Sequence, residues 1–198
     1  LQTITVSYLD TAGSGRYCLS HDSVDGFWAV TDTHLFRTYC YNVEGLLVSV
    51  SDKNGCSLDL EYDGEFPVRM TTPLGYGIRF AFKDGRLASL EDDMGRCVQY
   101  RYENGLLAEV VHMDGGITHY AYTGDGYLER PTDQTGLSYL TNAYDAEGRV
   151  VLQTLANGDT YRAEYDDRKR QTSMEYSRYP GKTVYIYDEK MAVTKVLH

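Results

Sequence analysis

Residues 100–115 read YRYENGLLAEVVHMDG, and this stretch decides the fold of the 198-residue chain. An aromatic segment around Tyr100 and Tyr102 is followed by the pair Asn104-Gly105, and then by an apolar segment that ends at a second glycine. Asn-Gly is a strong hairpin signal because both residues tolerate the positive φ angles of a tight turn. Ten residues leave about six for a strand once the turn is subtracted. The stretch therefore predicts two short antiparallel strands.

The pattern recurs along most of the chain with spacings of 20 to 23 residues. It is marked by two series, the aromatic residues Tyr41, Tyr62, Phe82, Tyr102, Tyr122, Tyr144, Tyr165 and Tyr187, and the glycines Gly55, Gly75, Gly95, Gly115, Gly136, Gly158 and Gly181. A helix plus a return strand does not fit this period, and parallel strands need longer crossovers. We therefore predict an all-β fold, a continuous antiparallel β-meander of about seven hairpin repeats of about 21 residues, with about fourteen strands.

The repeat array is predicted to cover residues 36–198, and residues 1–35 are predicted to form an irregular N-terminal β segment or cap. Within the cap, residues 4–8 alternate like a strand, residues 10–15 resemble a turn, and residues 27–31 form a strand with the only tryptophan. Near the other end, Arg168-Lys169-Arg170 stands where a turn glycine is expected. Tyr187-Asp188 opens a repeat that the chain does not complete, so we expect a piece of a longer protein.

Strand parity predicts one aromatic face and one polar face. The aromatic face carries residues such as Leu60, Ile78 and Val98, together with six rings that form the candidate binding surface, namely Phe80, Phe82, Tyr100, Tyr102, Tyr120 and Tyr122. These rings either form the packing layer of the sheet or stack on sugars. In the second strand of each repeat, Leu47, Leu87 and Leu107 have the opposite parity. Either this leucine packs under the turn, or a β-bulge resets the register.

The charge of the chain argues against two classes of partner. It holds 19 Lys and Arg against 29 Asp and Glu, a net charge of −10, which repels phosphate backbones and anionic lipids. It also lacks an apolar stretch of about 20 residues, so neither nucleic-acid binding nor membrane insertion is expected. None of the four cysteines lies in a CxxC motif. They are expected to be reduced, with a Cys18–Cys40 disulfide as the exception.

The sequence offers no pattern for catalysis, a cofactor or a metal. His112 and His119 could meet across a turn, but the spacing supplies no further ligands. The acidic turns are better explained by side-chain hydrogen bonds to the local backbone than by calcium. No serine lies in a nucleophile elbow, and no pair of carboxylates stands out for glycoside cleavage. We therefore predict that the chain is not an enzyme.

The run YDAEGRV at residues 144–150 resembles the Tyr-Asp-x-x-Gly-Arg-Leu core of the YD repeat, and YNVEGLL at residues 41–47 is a close variant. Over residues 36–198 the chain resembles the YD/Rhs repeat family, which includes Rhs polymorphic toxins, shell components of Tc toxins, wall-associated proteins and teneurins. The resemblance implies a curved or spiralling sheet that belongs to a hollow β-shell, in a bacterial secreted or cell-surface protein. Residues 133–136, DQTG, lack the proline of the family's Asp-Pro-x-Gly segment, so no self-cleavage residue is carried over.

These observations lead to one main hypothesis and one alternative. The main hypothesis is a non-catalytic segment of an Rhs/YD-repeat shell that encapsulates or displays a toxin or effector. Its partners would be the rest of a longer chain or its toxin domain. The alternative is a carbohydrate-binding module that uses the tyrosine-rich face. A polysaccharide-degrading enzyme ranks third. We also expect self-association through exposed sheet edges.

Overall fold

The computed structural model describes residues 3–6, 16–22 and 24–198, and these residues form nineteen β-strands and no helix. The strands are β1 (Thr3–Val6), β2 (Tyr17–Asp22), β3 (Trp28–Asp32), β4 (Arg37–Tyr41), β5 (Leu47–Asp52), β6 (Ser57–Asp63), β7 (Phe66–Thr71), β8 (Gly77–Lys83), β9 (Arg86–Asp92), β10 (Cys97–Glu103), β11 (Leu106–Val111), β12 (Ile117–Tyr122), β13 (Leu128–Thr132), β14 (Leu140–Tyr144), β15 (Val150–Leu155), β16 (Thr160–Asp166), β17 (Gln171–Tyr176), β18 (Tyr179–Tyr187) and β19 (Val193–Leu197).

The strands pair in sequence order, β1 to β13 in one ladder and β14 to β19 in a second. Every pair whose register is known is antiparallel, so the predicted all-β meander is confirmed. The chain divides into two compact units, Leu1–Val98 and Gln99–His198. Within the described residues no helix could span a membrane.

The two ends of the chain add detail to the prediction. The strand predicted at residues 27–31 is β3, which pairs with β2 and β4. The turn predicted at residues 10–15 lies outside the described residues, and the domain boundary at residue 36 stays a prediction. After Tyr187, β19 pairs with β18, so the repeat that opens there has both strands of its hairpin. From β4 onward the described chain holds sixteen strands rather than about fourteen.

Two classes of turn connect the strands. In the tight class, Asp84-Gly85 has φ angles of 52° and 73° and Asn104-Gly105 has 50° and 83°, which is the type I′ geometry that these pairs predict. In the wider class, an aspartate carboxylate accepts hydrogen bonds from the backbone N–H groups two and four residues later. Asp92 does so from Met94 and Arg96 at 3.0 and 2.9 Å. The acidic turns therefore bond to their own backbone, as predicted.

A β-bulge in the second strand of most repeats explains the leucines of opposite parity. In the β10–β11 hairpin, Arg101 pairs with Glu109 and Tyr102 pairs with Leu107, which leaves Ala108 as the extra residue. The extra residue moves Leu107 to the same face as Tyr102. The same shift occurs in six further hairpins, those of β4–β5, β6–β7, β8–β9, β12–β13, β14–β15 and β18–β19. Of the two alternatives, the bulge is therefore the correct one.

The described chain buries few side chains. In the unit Gln99–His198, Val110 is 7% exposed and its cross-strand neighbour Thr118 is 9% exposed, and both lie on the aromatic face. All four cysteines are free. The alternative of a Cys18–Cys40 disulfide does not hold, because β3 lies between the strands that carry these two residues.

The aromatic face as a candidate functional surface

In the unit Leu1–Val98, the aromatic face is partly buried and the opposite face is exposed. Phe80 and Phe82 alternate along β8 with the exposed residues Arg79 and Ala81, as the parity argument predicts. The Phe82 ring contacts the Phe66 ring of the neighbouring strand, with centroids 4.8 Å apart. These two candidate rings therefore belong to a layer that packs within the sheet.

In the unit Gln99–His198, the face brings together several of the candidate tyrosines. Burial raises the pKa of Tyr120, and the neighbouring phenols of Tyr139, Tyr122 and Tyr100 raise it further. Burial also raises the pKa of Tyr122. Tyr102 is more open to solvent, with 37% of its surface exposed. The surface is thus a row of packed phenols in which Tyr102 presents the most accessible ring of the candidate set.

The tyrosines of the repeat make a hydrogen bond that the sequence argument missed. The hydroxyl of Tyr62 donates to the Leu47 carbonyl at 2.8 Å, and the hydroxyl of Tyr122 donates to the Leu107 carbonyl at 2.8 Å. Leu47 and Leu107 each immediately precede the bulge residue of the preceding hairpin. Each tyrosine therefore bonds its repeat to the irregular point of the repeat before it.

Two further repeats contain the same bond. Tyr165 donates to the Val150 carbonyl at 2.8 Å, and Tyr144 donates to the Leu128 carbonyl at 2.6 Å. The acceptor lies 15 or 16 residues before the tyrosine, and this fixed spacing was the available sequence signal. The phenols are thus structural hydrogen-bond donors as well as rings.

The run that resembles the YD core uses its charges in a similar way. The Asp145 carboxylate accepts hydrogen bonds from the backbone N–H and Nε of Arg149, both at 2.8 Å. The Arg149 guanidinium also bonds to Asp167 at 2.7 Å and lies 4.4 Å from the centroid of the Tyr165 ring. Its bonds to Asp145 and Asp167 raise the pKa of Arg149. Arg149 therefore connects its own turn to the next repeat.

A second aromatic cluster lies outside the candidate set. The rings of Tyr161 and Tyr176 stack with centroids 4.3 Å apart and an angle of 8° between their planes. The Tyr176 hydroxyl donates to Asp159 at 3.1 Å, and the adjacent Tyr179 is 67% exposed. Sequence parity alone did not single out these rings, because the repeat pattern is irregular in this region.

The two histidines considered for a metal have separate partners. His112 Nε2 lies 2.8 Å from the Thr118 hydroxyl, whereas His119 Nδ1 lies 3.2 Å from the Glu109 carboxylate. The described part of the chain contains no group of three or more side chains that could hold a metal ion.

Comparison with known proteins gives one family and several similar folds. The profile of the teneurin YD-shell family matches residues 26–139, more than half of the chain. No curated protein sequence matches the chain. The crystal structure of TcdB2-TccC3-TEV aligns with 97% of this chain at 16% identity and a TM-score of 0.54. That of TcdB2-TccC3 without its hypervariable C-terminal region also covers 97%, at 16% identity and a TM-score of 0.53. The chain spans 11% of each of these two chains, and the likeness shows a shared fold.

Proposed function

Because the chain belongs to the teneurin YD-shell family, we propose that it is a non-catalytic segment of a shell wall that encapsulates or displays a toxin or effector. The surrounding protein would be a bacterial secreted or cell-surface protein, and the partners would be the rest of its longer chain or its toxin domain. The bond that the hydroxyls of Tyr62, Tyr122 and Tyr165 make to the preceding repeat carries this proposal, because it ties neighbouring repeats together.

The polar side chains support a structural role. The carboxylates of the wide turns accept backbone hydrogen bonds, as Asp92 and Asp145 do. On the polar face, Glu109 pairs with Arg101 at 2.8 Å. These groups hold turns and neighbouring strands together, so their hydrogen-bonding capacity is used within the sheet.

A protease-protection assay on the full-length protein that contains this chain tests the proposal. We expect the enclosed segment to resist protease in the native protein. It should become sensitive when Tyr62, Tyr122 and Tyr165 are all replaced by alanine, because the repeats then lose their bonds to one another. The exposed Tyr179→Ala variant serves as the control. Equal sensitivity of the native and triple-variant proteins would contradict a wall function.

The second candidate function is glycan binding by the aromatic face, favoured by the exposed ring of Tyr102. It would use the rings Phe80, Phe82, Tyr100, Tyr102, Tyr120 and Tyr122. Titration with glycans should show saturable binding that the Tyr100→Ala/Tyr102→Ala double variant abolishes. If the native chain shows no saturable binding, only the structural role remains.

A further inference from the structure

The border between β13 and β14, named the seam here, is built differently from the contacts within the ladders. The two strands follow each other in the chain and lie in the same compact unit, yet they belong to different ladders. Within a ladder, strands are joined by regularly spaced backbone hydrogen bonds. At the seam, side chains supply the connection.

Two side chains of β14 bond to one carbonyl of β13. The Tyr144 hydroxyl donates to the Leu128 carbonyl at 2.6 Å, and Asn142 Nδ2 donates to the same oxygen at 3.2 Å. The Asn142 carbonyl oxygen in turn accepts a hydrogen bond from Gln153 on β15 at 3.0 Å. The attachment of β14 to β13 at this end therefore depends on two side-chain donors to a single acceptor.

At the other end of the seam, the Ser138 hydroxyl lies between the two strands and donates its single proton to a carbonyl of either β13 or β14. Ser138 Oγ lies 2.9 Å from the Pro131 carbonyl of β13 and 2.8 Å from the Leu140 carbonyl of β14. Pro131 lacks a backbone N–H and so cannot donate to a ladder, which is why proline favours edge strands. The 22-residue spacing from Tyr122 to Tyr144 is also longer than the 20 or 21 residues between the preceding repeats. Both sequence features coincide with the break.

We propose that the seam is a hinge, at which the β14–β19 ladder separates from β13 while both ladders stay folded. The physical reason is the small number of bonds that must break. Opening removes the side-chain bonds of Ser138, Asn142 and Tyr144 to β13 and the stack of the Tyr144 ring on Tyr127, whose centroids lie 5.0 Å apart. Separating strands inside a ladder breaks a whole row of backbone bonds as well. The hinge does not depend on what the wall encloses.

The distance between spin labels on the polar face measures this opening. Arg130 of β13 and Thr141 of β14 are both exposed, so cysteines at these positions carry labels across the seam in a chain whose native cysteines are replaced by serine. Arg162 and Glu175, which are directly paired between β16 and β17 and are also exposed, give the matched control pair inside a ladder. Pulsed electron paramagnetic resonance should show a second, longer distance for the seam pair and a single narrow distance for the control pair.

Weakening the seam should increase the open population. Ser138→Ala and Asn142→Ala should each raise the longer-distance fraction relative to the closed fraction about fivefold, as expected for the loss of one ordinary hydrogen bond. Ser173→Ala, on β17, should leave both distance distributions unchanged. Circular dichroism checks that each variant retains its strands. The hinge would be overturned by a distance distribution across the seam as narrow as that of the control pair, or by one that neither seam variant alters. Neither result depends on the protease-protection assay of the proposed function.

Discussion

Phe82 lies at the position where most repeats have a tyrosine. Introducing a hydroxyl there tests whether the tyrosine-to-carbonyl bond stabilises the array of repeats. In the repeats that contain the tyrosine-to-carbonyl bond, the acceptor carbonyl belongs to the residue just before the bulge. For Phe82 that residue is Pro67, because Glu61 pairs with Arg69 and Tyr62 pairs with Pro67, which leaves residue 68 as the bulge. Phe82→Tyr should therefore place a donor beside the Pro67 carbonyl.

The expected gain is that of one net intramolecular hydrogen bond, about 1 kcal/mol in the free energy of unfolding. For a domain of 150–250 residues this corresponds to a rise in Tm of about 2–4 °C. The contact of the Phe82 ring with Phe66 fixes the ring in place, so little ordering is needed to form the bond. The reverse change, Tyr62→Phe, should lower the free energy of unfolding by about the same amount.

Urea unfolding followed by circular dichroism measures these differences, and Tyr179→Phe is the control. Tyr179 is 67% exposed, so loss of its hydroxyl should change stability by less than about 0.5 kcal/mol. If Phe82→Tyr is neutral or destabilising while Tyr62→Phe costs no more than the control, the hydroxyl-to-carbonyl bond does not hold the repeats together. These bonds would then not support a shell wall.

Three more results are expected. In urea unfolding, Gly148→Ala should lower the stability of the protein more than Gly158→Ala. Both glycines have positive φ, which costs about 1–2 kcal/mol for alanine. Of the two, only Gly148 is placed so that an added Cβ would meet the Tyr127 side chain. Asp32→Asn should make Tm fall less steeply between pH 5 and pH 2. The hydrogen bond from Arg16 lowers the pKa of Asp32 to about 2, below the value near 4 of the unfolded chain. The Asp32 carboxylate therefore stabilises the fold fully above pH 4, and this contribution is lost as the pH falls toward 2. Light scattering should show concentration-dependent self-association through sheet edges, and a strict monomer at high concentration would contradict this.

The sequence predicted the local features that depend on single residues or on period. Asn104-Gly105 predicted its turn because few residues accept positive φ, and the alternation along β8 predicted its two faces. The bulge at Ala108 was left open, because a one-residue register shift and a leucine under the turn produce the same parity. Choosing between them requires the backbone pairing of two strands.

The candidate surface shows the same limit at the level of side chains. Parity placed Tyr122 on the aromatic face but could not show that its hydroxyl is bonded to the Leu107 carbonyl, a contact 15 residues away. The break at the seam was also missed, because a proline such as Pro131 does not by itself mark one: Pro67 of β7 lies inside a ladder. In each case the structure depends on hydrogen bonds between residues far apart in the sequence, and the repeat period contains no information on such bonds.

The abundance of tyrosine over phenylalanine, 19 against 5, follows from this architecture. The described strands bury few side chains fully, so apolar burial alone gives each repeat a small share of its stability. A tyrosine ring packs on the sheet as phenylalanine does, and the hydroxyls of Tyr62, Tyr122, Tyr144 and Tyr165 each add a bond to the preceding repeat. Stability in such an array is a sum of contacts between neighbouring repeats. Removal of one hydroxyl should therefore weaken one boundary and leave distant repeats unchanged.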